Sequence, residues 1–272
     1  MKGICALCKG NRGLVASHLM PKGVYRSLAK WFPGQGQNLV AISGFDKTAA
    51  YSDKQVKKLL LCKDCESRFS QNGEDTVLKL MARPNRFGLA SKIEKFPKRG
   101  SFHDECWYFS QNEELAFKFL YFAVSISWRL SATEWDILGD RETRGSIRQD
   151  SMNSFSEFLL GGRAPENTYM VVYVDNKQID MPYMSFPVIK DHDGYQHIVF
   201  VIPGLKFSLI CGPSPGLDIL STFSVNKYRV YFVSRSLKSH PDFDYLINFV
   251  SKEATPRGRL GKEFTQDKKG RG

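Results

Sequence analysis

Several things are scarce in this chain of 272 residues. No run is long and apolar enough to cross a bilayer: Leu115 to Leu130, the most apolar stretch, carries Lys118 and Arg129 and falls short of the roughly 20 residues a membrane helix needs. No apolar segment lies between Met1-Lys2-Gly3 and the first cysteine, so no secretory signal is expected. Histidine occurs five times; His103, His192, His197 and His240 stand at no ligand spacing. Six cysteines are an unpromising disulfide framework in a reducing compartment, where paired cysteines point to metal instead. No internal repeat is visible. These absences lead us to expect a soluble, cytoplasmic protein with no membrane partner.

What is present is a core's worth of apolar residues, 42% of the chain with 13% aromatic, enough for one large domain or two modest ones. Charge is unevenly spread. Residues 1–100 carry a net +12, residues 101–250 a net −5 and residues 251–272 a net +4. A basic module attracts phosphate backbones through counterion release, so nucleic acid is the expected partner of the first hundred residues.

The cysteines fall in the same part of the chain. Cys5 and Cys8 form one Cys-x2-Cys pair, and Cys62 and Cys65 repeat the spacing, with Cys62 54 residues after Cys8. Two such pairs can surround Zn²⁺ tetrahedrally. The turn chemistry of Lys9-Gly10-Asn11-Arg12-Gly13 predicts a knuckle, and Leu14-Val15-Ala16 a strand leaving it. Val56 to Leu61 predicts a buried strand, and Lys63 to Phe69 a helix with Asp64 available as its cap. A knuckle, a hairpin and a helix whose first turn carries the last two ligands describe a treble-clef ββα zinc module. Cys106 and Cys211 have no partner at ligand spacing and are expected in the core.

His18 is not needed by four thiolates. Cys-x2-Cys, then a strand ending in Ser17-His18-Leu19-Met20-Pro21, then Leu61-Cys62-x2-Cys65 opening a helix, resembles the zinc-stapled branch of the HNH, or His-Me finger, nucleases over about residues 4–75. The resemblance implies a metal-dependent endonuclease, a hydrolase of DNA phosphodiester bonds, with His18 as general base. It implies that a catalytic Mg²⁺ or Mn²⁺ is held at the places of Ser17 and Glu66. Lys22, Arg26, Lys63 and Arg68, basic residues of the same module, are expected to contact nucleic acid. Ser17 stands where Asp or His is usual, and Glu66 where His or Asn is usual. Asn38 is the candidate for the middle Asn, though an apparent inserted hairpin between Trp31 and Lys58 separates it from Cys62. Glu74 would lie two helical turns beyond Glu66 if the helix continued through Phe69-Ser70-Gln71-Asn72-Gly73. Two alternatives are a non-catalytic zinc finger that binds nucleic acid and a zinc-stabilised protein-interaction module.

The expected fold class is α+β, with residues 1–82 as the zinc domain, 83–100 as a basic connector, 101–250 as a C-terminal α+β domain and 251–272 as a flexible basic tail. Apolar residues at nearly every turn predict a buried helix over Glu113 to Ser131, with Trp128-Arg129 placed to contact the finger. A second helix is predicted over Ser146 to Leu160, ended by Gly161-Gly162. Five short β-branched and aromatic runs between Tyr169 and Val233 predict an antiparallel sheet, and Phe243 to Phe249 a closing helix. This domain is expected to govern target or activation, or to bind a protein partner.

Overall fold

The structure is a computed structural model, and it describes residues 1–31, 39–102, 105–109, 112–137, 143–177, 179, 182–213 and 227–269. Asn38 and His103 lie outside the described residues.

Strand β1 (Lys2–Ile4) pairs antiparallel with β2 (Asn11–His18). Helix α1 (Lys22–Ala29) follows Pro21 and buries Val24, Tyr25 and Leu28. The hairpin β3 (Leu39–Ser43) and β4 (Thr48–Ser52) is the insertion anticipated between Trp31 and Lys58. Strand β5 (Lys57–Cys62) then returns to pair with β2. It runs into α2 (Lys63–Phe69), a π-helical turn over Ser70–Glu74, and α3 (Asp75–Leu80). The helix does continue, by way of that turn.

Residues 83–100 are more than a connector. They carry part of the small hairpin β6 (Ala82–Arg83) and β7 (Arg86–Phe87), the short helix α4 (Ala90–Ile93), and the start of β8 (Lys98–Phe102). With β9 (Glu105–Phe109), β8 forms one edge of the main sheet. Helix α5 (Glu113–Ala132) is capped by Asn112, whose side chain accepts from the Leu115 N–H. Helix α6 (Gln149–Leu159) ends where Gly161 takes φ +103° and Gly162 N–H returns to the Glu157 carbonyl, a turn that favours glycine.

The predicted strands are β10 (Thr168–Asp175), β11 (Ser185–His192), β12 (Tyr195–Ile202), β13 (Leu205–Cys211) and β14 (Val230–Arg235). With β8 and β9 they form one seven-stranded sheet of order β11-β12-β13-β10-β14-β9-β8. It is mixed, because β10 and β14 run parallel; the sequence suggested antiparallel pairing throughout. Helix α5 covers one face, where Phe119 packs edge-on against Phe232 and Phe122 lies tilted against Phe207.

The C-terminal segment also departs from expectation. After α7 (Pro241–Lys252), strand β15 (Thr255–Pro256) adds parallel to β4, and α8 (Gly258–Lys269) follows. Tyr51 Oη donates to Glu263 at 2.6 Å, and the Arg259 guanidinium lies 4.7 Å over the Tyr51 ring. The segment read as a free tail is therefore docked on the inserted hairpin. One continuous apolar cluster runs from Cys5 through Phe69 and Phe122 to Phe232, so the four-cysteine module and the main sheet share a core.

Candidate metal centre and the acidic pair beside it

Lys9 adopts φ +60°, which closes the first knuckle so that Cys5 N–H reaches the Gly10 carbonyl and Lys9 N–H the Cys5 carbonyl, each at 2.9 Å. Strand β5 contributes an extra residue between its pairs Val15↔Leu61 and Ala16↔Leu59. The resulting bulge at Leu60 turns its carbonyl to the Ala6 N–H at 3.0 Å, which fastens the first knuckle to the strand leading into the second. Bulges commonly re-aim strands in this way.

The two knuckles bring Cys5, Cys8, Cys62 and Cys65 together with every sulfur within 4.8 Å of the others, a group that can hold a metal ion. Among the described residues it is the only such set of His, Cys, Asp and Glu ligands. Cys62 N–H donates to Cys5 Sγ at 3.3 Å. Burial pushes the Cys5 thiol up, but the amides of Cys62, Cys8 and Leu7 outweigh it and bring it down to about 7. Burial and the neighbouring sulfurs push Cys65 up instead. Four crowded thiols cannot all ionise unaided, and a bound dication removes that conflict. Cys211 is buried in the core as expected, whereas Cys106 is only half-buried.

Ser17 and His18 occupy the last two positions of β2. Ser17 is fully buried and its Oγ donates to Glu66 Oε2 at 2.9 Å. His18 Nε2 lies 3.1 Å from Gln55 Oε1. With that oxygen as acceptor, Nε2 carries the proton and Nδ1 is the basic nitrogen. Burial lowers the His18 pKa, and the positive charges of Lys22, Lys57 and Arg129 add to the effect against the Gln55 bond. The imidazole is accordingly neutral near pH 7.

Glu66 is joined by Glu74 because of the π turn. In an α-helix, residues eight apart diverge by about 80° around the axis; one extra residue in the turn reduces this to about 20° and aligns them. Gly73 permits the arrangement, since a Cβ there would lie 2.9 Å from the backbone nitrogen of Phe122 in α5. Between the carboxylates comes Arg129 from α5. Its Nη2 is 2.6 Å from Glu74 Oε1 and 3.8 Å from Glu66 Oε1. The Arg129 side chain is 1% exposed, against 12% for Glu74 and 27% for Glu66. Its guanidinium also lies 4.6 Å over the Phe69 ring. The Glu66 pKa is raised by burial, which outweighs Arg129 and Ser17.

The basic candidates separate into two kinds. Lys22, Arg26 and Lys63 are exposed, as are Lys57 and Lys58 on β5. Arg68 donates to the Leu160 carbonyl at 3.2 Å and so ties α2 to the end of α6. Asp64 does not cap α2; it pairs with Arg12. The contact of Arg129 with the finger follows the sequence expectation, but its role between two carboxylates does not. The signal available was a lone arginine near the end of a nearly uniform apolar run. Comparison of the chain with family models, curated proteins and solved structures found no match.

Proposed function

We propose that the N-terminal module is a treble-clef finger stapled by structural Zn²⁺, and that it acts on nucleic acid, DNA first, with His18 as general base against a phosphodiester. A tetrahedral zinc with Zn–S bonds of about 2.3 Å spaces its sulfurs by about 3.8 Å, close to the 3.9 Å between Cys8 and Cys62. The observation that carries the reading is the setting of His18. A neutral, half-buried imidazole stands at a strand end among the charges of Lys22, Lys57 and Arg129. On this reading Nδ1 takes a proton from water as the hydroxide attacks phosphorus, one ester P–O bond breaks, and the leaving alkoxide takes its proton from solvent. The exposed Lys22, Arg26, Lys57 and Lys63 hold the phosphate backbone. Ser17 and Glu66 are not assigned a Mg²⁺ or Mn²⁺ ion, because both Glu66 oxygens already face partners within the protein.

The test incubates zinc-loaded protein with single- and double-stranded DNA and with RNA, with and without Mg²⁺ or Mn²⁺. Cleavage by wild type that His18→Ala abolishes supports the reading. Equal cleavage by both, or none by either, removes the hydrolytic claim. A second reading, nucleic-acid binding without cleavage, is favoured by the grip of Arg129 on Glu66 and Glu74. Salt-dependent DNA binding that weakens in Lys22→Glu and Arg26→Glu, with no nicking, would select it.

A further inference from the structure

We infer that Arg129 is the built-in cation of the Ser17–Glu66–Glu74 cluster, a positioning residue that takes the place of a free divalent ion beside His18. Three independent observations lead here. First, the π turn and Gly73 together bring two carboxylates eight residues apart onto one face, and what they meet there is a guanidinium supplied from α5. Second, Glu66 is engaged from both sides: Oε2 accepts from Ser17 while Oε1 faces Arg129. Third, Arg129 is buried, and among the described residues its Nε and Nη1 have no hydrogen-bond partner. Such burial is costly, and an apolar side chain would fill the same space at lower cost. Packing alone does not call for arginine there, whereas its charge is what two adjacent carboxylates require. A metal entering between them would have to displace a guanidinium whose side chain is 1% exposed.

The inference concerns the same site as the proposed hydrolysis and takes from that reading only what the site is for. Its test is therefore metal binding rather than cleavage. Full-length zinc-loaded protein is titrated with Mn²⁺, and free ion is followed by electron paramagnetic resonance. Wild type is expected to bind no Mn²⁺ that depends on Glu66 or Glu74, so Glu66→Gln leaves the titration unchanged. Arg129→Met is expected to gain one Mn²⁺ per chain, at least about tenfold tighter than any wild-type binding. Arg129→Lys restores the wild-type curve, and Glu74→Gln in the Arg129→Met background removes the gained ion. Where Arg129→Met does not fold, Arg129→Gln keeps a donor toward Glu74 without the charge and gives the same comparison. Wild-type Mn²⁺ binding that Glu66→Gln or Glu74→Gln abolishes overturns the inference, as does a folded, uncharged Arg129 variant that gains no ion. Failure of the cleavage assay leaves these outcomes untouched.

Discussion

Glu74→Gln removes the carboxylate that sits 2.6 Å from Arg129 Nη2. The guanidinium left behind is 1% exposed, and stranding one partner of a buried pair costs about 3–5 kcal/mol. Two features reduce that figure. Glu66 Oε1 lies 3.8 Å from the same nitrogen and retains part of the attraction, and the glutamine oxygen can still accept a hydrogen bond. A destabilisation of about 2–4 kcal/mol follows. Glu66→Gln is the contrasting case. Its side chain is 27% exposed and the more distant from Arg129, and an amide oxygen preserves the acceptor for Ser17, so about 1 kcal/mol or less is expected. Domains are stable by about 5–15 kcal/mol in all, so the first substitution removes a large share. At about 2–4 °C per kcal/mol for a chain approaching this size, melting should fall by roughly 5–15 °C in Glu74→Gln and only slightly in Glu66→Gln. Urea unfolding of the zinc-loaded proteins measures the order directly. The combined Arg129→Met and Glu74→Gln variant should be more stable than Glu74→Gln alone, since it removes the stranded guanidinium and leaves only the partly exposed Glu66, which Ser17 still holds. Equal midpoints for the two single variants would refute the claim that Glu74 is the principal partner.

Two further outcomes follow from the same structure. Chelation of the metal should unfold at least the first eighty residues, because structural zinc contributes about 10–16 kcal/mol in finger peptides, as much as a whole domain's stability; circular dichroism and hydrogen exchange unaffected by chelation would contradict the staple. Acid should destabilise the sheet region between about pH 6.5 and 4, before carboxylates titrate in bulk. Burial, followed by the neighbouring Lys206, brings both His197 and His240 down to about 4. A histidine with a folded pKa below its unfolded 6.5 loses stability as pH falls through that window, since only the unfolded chain takes up the proton. Each contributes about 3 kcal/mol at most. For His240 the surrounding charges are Lys206, Asp242, Arg235 and Lys190, so removing Asp242 should steepen the loss; a flat urea midpoint between pH 7 and 4.5 would rule the effect out.

The parts of the fold legible in the sequence are those encoded locally. Duplicate Cys-x2-Cys spacing put four sulfurs within 4.8 Å of one another, because tight knuckles leave little choice of geometry. Branched and aromatic runs marked β10 to β14 within a few residues, and the apolar periodicity of α5 marked its length. What stayed hidden depends on distant partners. Phe69-Ser70-Gln71-Asn72-Gly73 has the composition of a break, yet the helix passes through it. Lys118 Nζ donates to the Gln71 carbonyl, and the α5 backbone packs against Gly73; neither contact is visible locally. The C-terminal segment has few apolar residues of its own. It is ordered by backbone bonds to β4, with Thr255 N–H on the Lys47 carbonyl and Arg257 N–H on that of Ala49. A parallel neighbour for β10 likewise lies 60 residues downstream, at Val230.

The hidden contacts share a direction, and it bears on how the chain is divided. Charge and cysteine content place a boundary near residue 82, as though a basic finger preceded an independent acidic domain. The contacts across that boundary are those that complete the candidate site. Arg129 supplies the charge between Glu66 and Glu74, Tyr121 and Trp128 enclose Phe69 edge-on, and Leu160 holds Arg68. Cut at residue 82, the finger would keep its four sulfurs and His18 but would expose Phe69 and leave two carboxylates facing each other without a cation. Like charges so placed repel, and the π turn that aligns them would lose the α5 backbone against which it forms. A metal bound by the four sulfurs would staple the two knuckles without α5. The Arg129 charge that acts on His18, Glu66 and Glu74 is present only when α5 is in place, so a helix beyond residue 82 completes the electrostatics of the segment before it.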